Sequence, residues 1–302
     1  VSSVFRRPLL LRCAALAALV AGLAAPPRLV QRPVCDVLAV VDITGSMNVR
    51  DQRLDGAEAS RLAMEKRALR HLLASLPCGS RLGVAIFVEK QPFLLFEPVE
   101  TCGNFSALDE EIAAIDWRMG WDSESHIAEG LLSAMKIASG LGADLVFMTD
   151  GQETPPLWWN GGGPSFAAAR GSAHGVIVGV GGYAFSPIPK FDKYGREIGV
   201  FKPGDVPVEK AGMFVGHEHL SAVDEPHLRA LASSSGLTYL HLEGPDALLP
   251  ALEKFAPVRQ LPQQVSIAWI FALVSLALLA ASFAQPNGPK FFGAFFQKRT
   301  AR

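Results

Sequence analysis

Two apolar runs frame this chain, and between them short aliphatic stretches alternate with helical periods. The C-terminal run, Val265 to Phe283 (VSIAWIFALVSLALLAASF), carries no charge. Its length is about what spans a hydrocarbon core as a helix, so residues 265–284 are expected to form a transmembrane helix. Lys290, Lys298, Arg299 and Arg302 follow it. An excess of Lys and Arg beside a span marks the cytoplasmic side, which makes residues 285–302 a basic cytoplasmic tail. At the other end Arg6 and Arg7 precede an apolar run that is broken by Arg12, continues from Cys13 to Ala25 and stops at Pro26 and Pro27. Residues 1–28 therefore read as a signal anchor or a cleaved signal peptide. Positive flanks at both ends put the intervening segment across the membrane, which in a Gram-negative cell means an inner-membrane protein with its soluble domain in the periplasm.

Within that segment, Val37 to Val41 is nearly all aliphatic, as a central parallel strand should be. A helix follows from about Ser60, a suitable N-cap, to Leu76. Its Leu62, Leu69, Leu72, Leu73 and Leu76 recur at helical spacing and read as core. Strands Ser80 to Glu89 and Phe93 to Glu100 turn around Lys90 as a hairpin. Helices are expected over Phe105 to Ile115, His126 to Ser139 and Glu225 to Ser234, with strands over Asp144 to Thr149, His174 to Val180 and Leu237 to Leu242. An amphipathic piece, Ala247 to Phe255, precedes a linker (257–264) holding Pro257 and Pro262. This order predicts an α/β fold over residues 34–256: a doubly wound, mostly parallel sheet flanked by helices, with one antiparallel edge hairpin, plus terminal membrane helices. Two long loops, Gly151 to Arg170 and Gly182 to Gly212, are of the kind that is usually functional or flexible.

Composition narrows the partners. A chain of 302 residues with 49% hydrophobic content can bury one sizeable core. Its formal charge is −1, and the body has no long basic run, which excludes nucleic acid as a main partner. Cys78 precedes the first hairpin strand and Cys102 follows the second, each equally far from Lys90. Opposed in this way they can bridge, as an exported domain allows, or remain two reduced thiols, and spacing alone does not decide between them. Cys13 lies in the N-terminal apolar run, and Cys35 has no evident mate.

The chemistry concentrates where strands end. VVDITGSMNVRD places Asp42, Thr44 and Ser46 in a turn at the carboxyl edge of the sheet, where open α/β sheets bind ligands. A carboxylate followed by hydroxyls at alternate positions offers hard oxygens suited to Mg²⁺ or Ca²⁺. This turn resembles the first part of the metal-ion-dependent adhesion site of von Willebrand A domains, Asp-x-Ser-x-Ser, with Thr44 keeping the hydroxyl. The resemblance implies two further elements. One is a hydroxyl opening a helix, which Ser125 supplies in SESHIAEGL, with Ser123 close by. The other is an Asp in a Thr-Asp-Gly turn, which FMTDGQE supplies at Asp150. It also implies a cation with one open coordination position, filled by a Glu or Asp side chain of a partner protein. A lone Asp-x-Thr-x-Ser would read as a helix-capping turn; the ordered joint match argues for the metal site.

Longer stretches, DITGSMNVRD with SRLAMEKRAL, LPCGSRLGVAIF, PVETCGN, TDGQETPPL and GVIVGVGGYAFSPIPKFDKYGREIGVF, are similar to the von Willebrand A accessory proteins of periplasmic methanol dehydrogenase. That likeness implies a non-catalytic role in maturing the dehydrogenase, including calcium insertion, with the enzyme or a sibling accessory protein as partner. An envelope-complex or stress-tolerance protein of the same fold is the alternative. A metal-dependent hydrolase is disfavoured, because no His or Lys base is placed beside the Asp-x-Thr-x-Ser motif. Trp158 and Trp159, just after Asp150, are candidate partner anchors, and local packing of their loop accounts for them equally. GVGG (179–182) lacks the spacing and following Lys of a phosphate cradle and reads as a tight turn. GHEHL (216–220) reads as a solvated loop, and FDKYGRE as a turn with a glycine bulge.

Overall fold

The computed structural model describes residues 2–120, 124–157, 162–205, 217–255 and 259–283. The chain divides into two compact units, one holding both chain ends (Val1–Arg32 with Pro262–Arg302) and one spanning Pro33–Leu261.

The larger unit is built on a six-stranded sheet. In chain order its strands are β2 (Asp36–Asp42), β5 (Arg81–Val88), β6 (Gln91–Glu100), β7 (Asp144–Thr149), β8 (Gly175–Gly179) and β13 (Thr238–His241). Their spatial order is β13-β8-β7-β2-β5-β6. All neighbours are parallel except β6, which returns antiparallel on β5 and closes the edge. The expected fold class is thus the observed one. Strand β2 is buried throughout, and because successive side chains leave opposite faces it feeds two cores. Val37, Ala39 and Val41 face α2 (Arg61–Ser75), α3 (Phe105–Ala114) and α6 (Leu248–Phe255). Leu38 and Val40 face α4 (Ile127–Leu141) and α5 (Glu225–Ser235). Ser60 caps α2, its hydroxyl accepting from the Ala63 N–H at 3.1 Å.

Two ribbons lie outside the main sheet. One, β3 (Gln52–Leu54) with β4 (Ala57–Ala59), turns at Asp55-Gly56, both with positive φ. Asp-Gly is a strong signal for a two-residue hairpin, and the sequence reading passed over it. The other, β10 (Pro189–Phe191) with β11 (Glu197–Val200), is the FDKYGRE hairpin. Its turn is held by Asp192 Oδ1, which accepts the Tyr194 and Arg196 N–H groups, and Gly195 takes positive φ. A further pair, β9 (Ser186–Pro187) with β12 (Leu220–Ser221), follows the GVGG turn.

In the smaller unit, α1 (Ser2–Ala24) packs on α7 (Ala268–Phe283). Gly22 approaches Phe271 closely, and the Arg12 guanidinium lies over the Phe283 ring, so the two helices run antiparallel. Strand β1 (Arg28–Val34) pairs with β14 (Arg259–Val265). The C-terminal helix therefore begins later than expected. Val265 is committed to the β14 ladder, which leaves 16 residues of apolar helix among those described, about 24 Å at 1.5 Å per residue. Among the described residues α1 holds the one segment, Arg7–Ala24, both long and apolar enough to cross a hydrocarbon core. The basic residues Lys290 to Arg302 lie outside the described residues.

Candidate metal centre

Three chain segments meet at the carboxyl edge of the sheet. Asp42 ends β2, and the chain turns at once into a 3-10 turn, Gly45–Asn48. Asp42 Oδ1 accepts the Thr44 N–H at 2.9 Å and Oδ2 accepts the Thr149 hydroxyl at 2.6 Å. The Thr44 and Ser46 hydroxyl oxygens lie 3.4 Å apart. Asp150 follows β7, the parallel neighbour of β2. Ser125 is strapped into the same edge by its backbone. It bridges Glu89, just past β5, and Thr154, in the chain after β7, exchanging both N–H···O bonds with Thr154 at 2.8 Å. Since β5 and β7 are the two neighbours of β2, Ser125 is held across the end of β2.

Glu153 fixes the element that carries Ser125. Its carboxylate accepts the Ile127 and Ala128 N–H groups at 3.0 and 2.8 Å, capping the start of α4 where the helix dipole favours a negative charge. Next to Ser125 in sequence, the buried His126 ring places Nε2 3.0 Å from Glu124 Oε2.

The electrostatics are set by groups that sequence reasoning missed. Asp42, Asp150, Arg61 and Glu65 are each 0% exposed. Arg61, on the first turn of α2, donates through Nη1 to Asp150 Oδ2 at 2.8 Å and to Ser221 Oγ at 2.5 Å. Through Nε and Nη2 it also binds Asp51, whose Oδ2 lies 2.7 Å from Nη2. The Ser221 hydroxyl donates to the same Asp150 oxygen at 2.9 Å. Gly181, in the GVGG turn, has no side chain because a Cβ there would meet the Arg61 guanidinium, and the Gly182 N–H donates to Asp51. The glycine run is thus a seat for Arg61.

Burial, reinforced by the neighbouring Asp150 charge, pushes the Asp42 carboxyl up to about 7. Burial also lifts Glu65 well above the usual range, with Asp42 and Asp150 adding to it and Arg61 opposing. Burial works against the Asp51 charge as well, but the Arg61 hydrogen bonds and the Gly182 N–H outweigh it and leave Asp51 below its usual value. Four carboxyls, Asp42, Asp51, Glu65 and Asp150, are thus linked by hydrogen bonds or Coulombic contact, with Arg61 the cation among them.

This donor set fits a hard divalent cation. Negative charge is in excess in a buried place, where it is costly unless compensated. The Ser125 hydroxyl is buried and, among the described residues, has no hydrogen-bond partner. The oxygens of Asp42, Thr44, Ser46, Ser125 and Asp150 are of the kind that hold Mg²⁺ or Ca²⁺. Sequence offered one signal for the hidden part: Arg61 and Glu65 are spaced at i, i+4 in phase with Leu69 and Leu72, so two charges occupy the core-facing stripe of α2.

A second cluster of ligand-type residues, Cys78, Glu100 and Cys102, is no metal site. The two cysteines form a disulfide with Cα atoms 5.2 Å apart. Glu100 is engaged by the N–H groups of Gly79, Cys102 and Gly103, which hold its carboxyl below the usual range. Trp158 and Trp159 lie outside the described residues.

Residues 37–152 match the family model for the von Willebrand factor type A domain, a span that contains all five candidate ligands. No curated protein matches the chain. Among solved structures, the chain is similar to the conserved hypothetical protein BatB of Bacteroides thetaiotaomicron (18% identity, TM-score 0.51, covering 73% of this chain and 98% of that one). It is also similar to an aerotolerance-related membrane protein of Bacteroides fragilis (18% identity, TM-score 0.48, covering 73% of this chain and 99% of that one). The sheet order, the antiparallel edge and the matched segment make the body of this chain a VWA-like α/β domain.

Proposed function

We propose that this protein is a membrane-anchored binding module that holds one Mg²⁺ or Ca²⁺ on Asp42, Thr44, Ser46, Ser125 and Asp150 and docks a partner protein through that ion. The observation that carries the reading is the buried, mutually repelling pair Asp42 and Asp150 at adjacent strand ends, with the Ser125 hydroxyl, which has no hydrogen-bond partner among the described residues. When bound, the cation supplies an exchangeable coordination position that accepts a carboxylate. The chain's own groups do the rest. Thr149 and the Thr44 N–H orient Asp42, Arg61 and Ser221 orient Asp150, and Glu153 fixes the helix behind Ser125. Function here is binding and not turnover.

An exposed disulfide supports an oxidising compartment for the domain, and the apolar α1 supports a membrane anchor; the periplasmic face of a Gram-negative inner membrane satisfies both. For the client, the sequence likeness favours methanol dehydrogenase or a sibling accessory protein, with a role in maturation or calcium insertion. The test is co-purification of the detergent-solubilised full chain with methanol dehydrogenase, with and without chelator. Capture that is lost with EDTA and in Asp42→Ala, while that variant keeps its circular dichroism, is the expected outcome. Capture indifferent to both refutes docking through the ion. No capture by the wild type removes this client and leaves another envelope partner to be sought.

A further inference from the structure

We propose that Glu65 is a third acidic member of the metal centre, a carboxylate behind Asp42 and Asp150 that strengthens the site's hold on a small divalent cation. This inference rests on the metal-site reading and deepens it.

The evidence is positional. Glu65 lies one helical turn after Arg61 on the sheet-facing side of α2, fully buried. Both of its carboxyl oxygens are sealed from solvent and, among the described residues, neither has a hydrogen-bond partner. Asp42, Asp150 and Arg61, two candidate ligands and the cation that orients one of them, act on it electrostatically. Arg61 makes no hydrogen bond to Glu65; its donors go to Asp51, Asp150 and Ser221.

A buried acid left in this way is costly, and a leucine or methionine at the same helical position would pack with Met64, Leu69 and Leu72 at no such cost. The compensation that the surroundings suggest is positive charge brought in from outside. A divalent ion held by Asp42 and Asp150 would supply it, because Coulombic attraction is strong where water is excluded. Glu65 need not touch the ion. It acts as a positioning charge, adding to the field that the two aspartates present.

The test is isothermal titration of the full chain in detergent with Mn²⁺, comparing wild type, Glu65→Gln and Asp42→Ala. Glu65→Gln keeps shape and removes charge. Its Mn²⁺ affinity is expected to fall about tenfold or more, corresponding to roughly 1.4 kcal/mol. Its melting temperature in chelator is expected to match or exceed wild type, because a buried repulsive acid has been removed. Glu65→Asp, which restores the charge, should recover part of the affinity. Unchanged affinity in Glu65→Gln, with binding abolished in Asp42→Ala, overturns the role of Glu65 and leaves the metal site standing. No Mn²⁺ binding by wild type overturns both. Were Glu65→Gln to fail to fold even in chelator, the carboxyl would be a structural necessity of the apo domain and the inference would fall.

Discussion

At the scale of single residues, the buried charges of the site make opposite demands on the fold. Asp42 is held up near 7 by burial and by Asp150, against an ordinary 3.8. Raised in the folded state, its contribution to stability is complete below about 3.8 and is lost as pH climbs through about 7. Glu65 is shifted in the same direction. The chelated protein is therefore expected to melt several degrees lower at pH 8 than at pH 5, and saturating Mn²⁺ should flatten that dependence by compensating the same charges. Differential scanning fluorimetry across pH, with EDTA or Mn²⁺, measures it; a chelated protein whose melting point rises over this range contradicts the charge assignment. Arg61 is the counterpart. Replacing it by Met leaves Asp51 and Asp150 without their cation, and breaking a buried pair in this way costs about 3–5 kcal/mol, readable as a lowered urea midpoint.

Among residues, the local and the distant differed in legibility. Asp42, Thr44, Ser46 and Asp150 sit in short motifs directly after aliphatic strands, so pattern and spacing suffice to nominate them. Ser125 needed the family likeness, because its place at the edge depends on bridges to Glu89 and Thr154 on two other segments. Asp51, Ser221 and Glu153 act through contacts with residues 10, 71 and 25 to 26 positions away that no local pattern encodes. Arg61 and Glu65 did leave a trace, two charges on an otherwise apolar helical stripe, but reading the leucines as core hid what the charges on that face implied.

At the scale of elements, aliphatic runs and caps determined the main sheet, and its strands lie within a residue or two of expectation. The exceptions have physical causes. The C-terminal apolar run is uniform in composition, so hydropathy could not show that Val265 belongs to a strand paired with β1. The Asp55-Gly56 ribbon is too short and polar to give a period of its own. Two elements invite measurement. Ser60 caps α2, which carries Arg61 and Glu65; Ser60→Ala should cost about 1 kcal/mol of stability by chemical denaturation, and a neutral result would mean that the cap bond at Ala63 contributes nothing net. The β5–β6 edge is closed by the Cys78–Cys102 disulfide across 24 residues. Its removal in Cys78→Ser/Cys102→Ser should lower stability by about 3 kcal/mol on loop-closure grounds, while leaving cation binding intact because the disulfide lies at the amino end of β5, opposite the carboxyl edge that holds Asp42 and Asp150.

At the scale of the whole molecule, one unit pairs apolar helices at the two ends of the chain, and the other presents a sheet edge built from the ends of β2 and β7 with the strapped Ser125. An anchor serves a binding module by holding its partner at a membrane surface, and a hard ion serves it by making attachment reversible. The proposed docking depends on an ion held by Asp42 and Asp150 together. The most direct measurement is the Mn²⁺ binding isotherm of the detergent-solubilised full chain beside that of Asp150→Asn, which keeps the side chain's shape. The account predicts saturable binding of about one ion per wild-type chain, lost or greatly weakened in the variant. An isotherm in which wild type and Asp150→Asn bind alike, or in which neither binds, would contradict it.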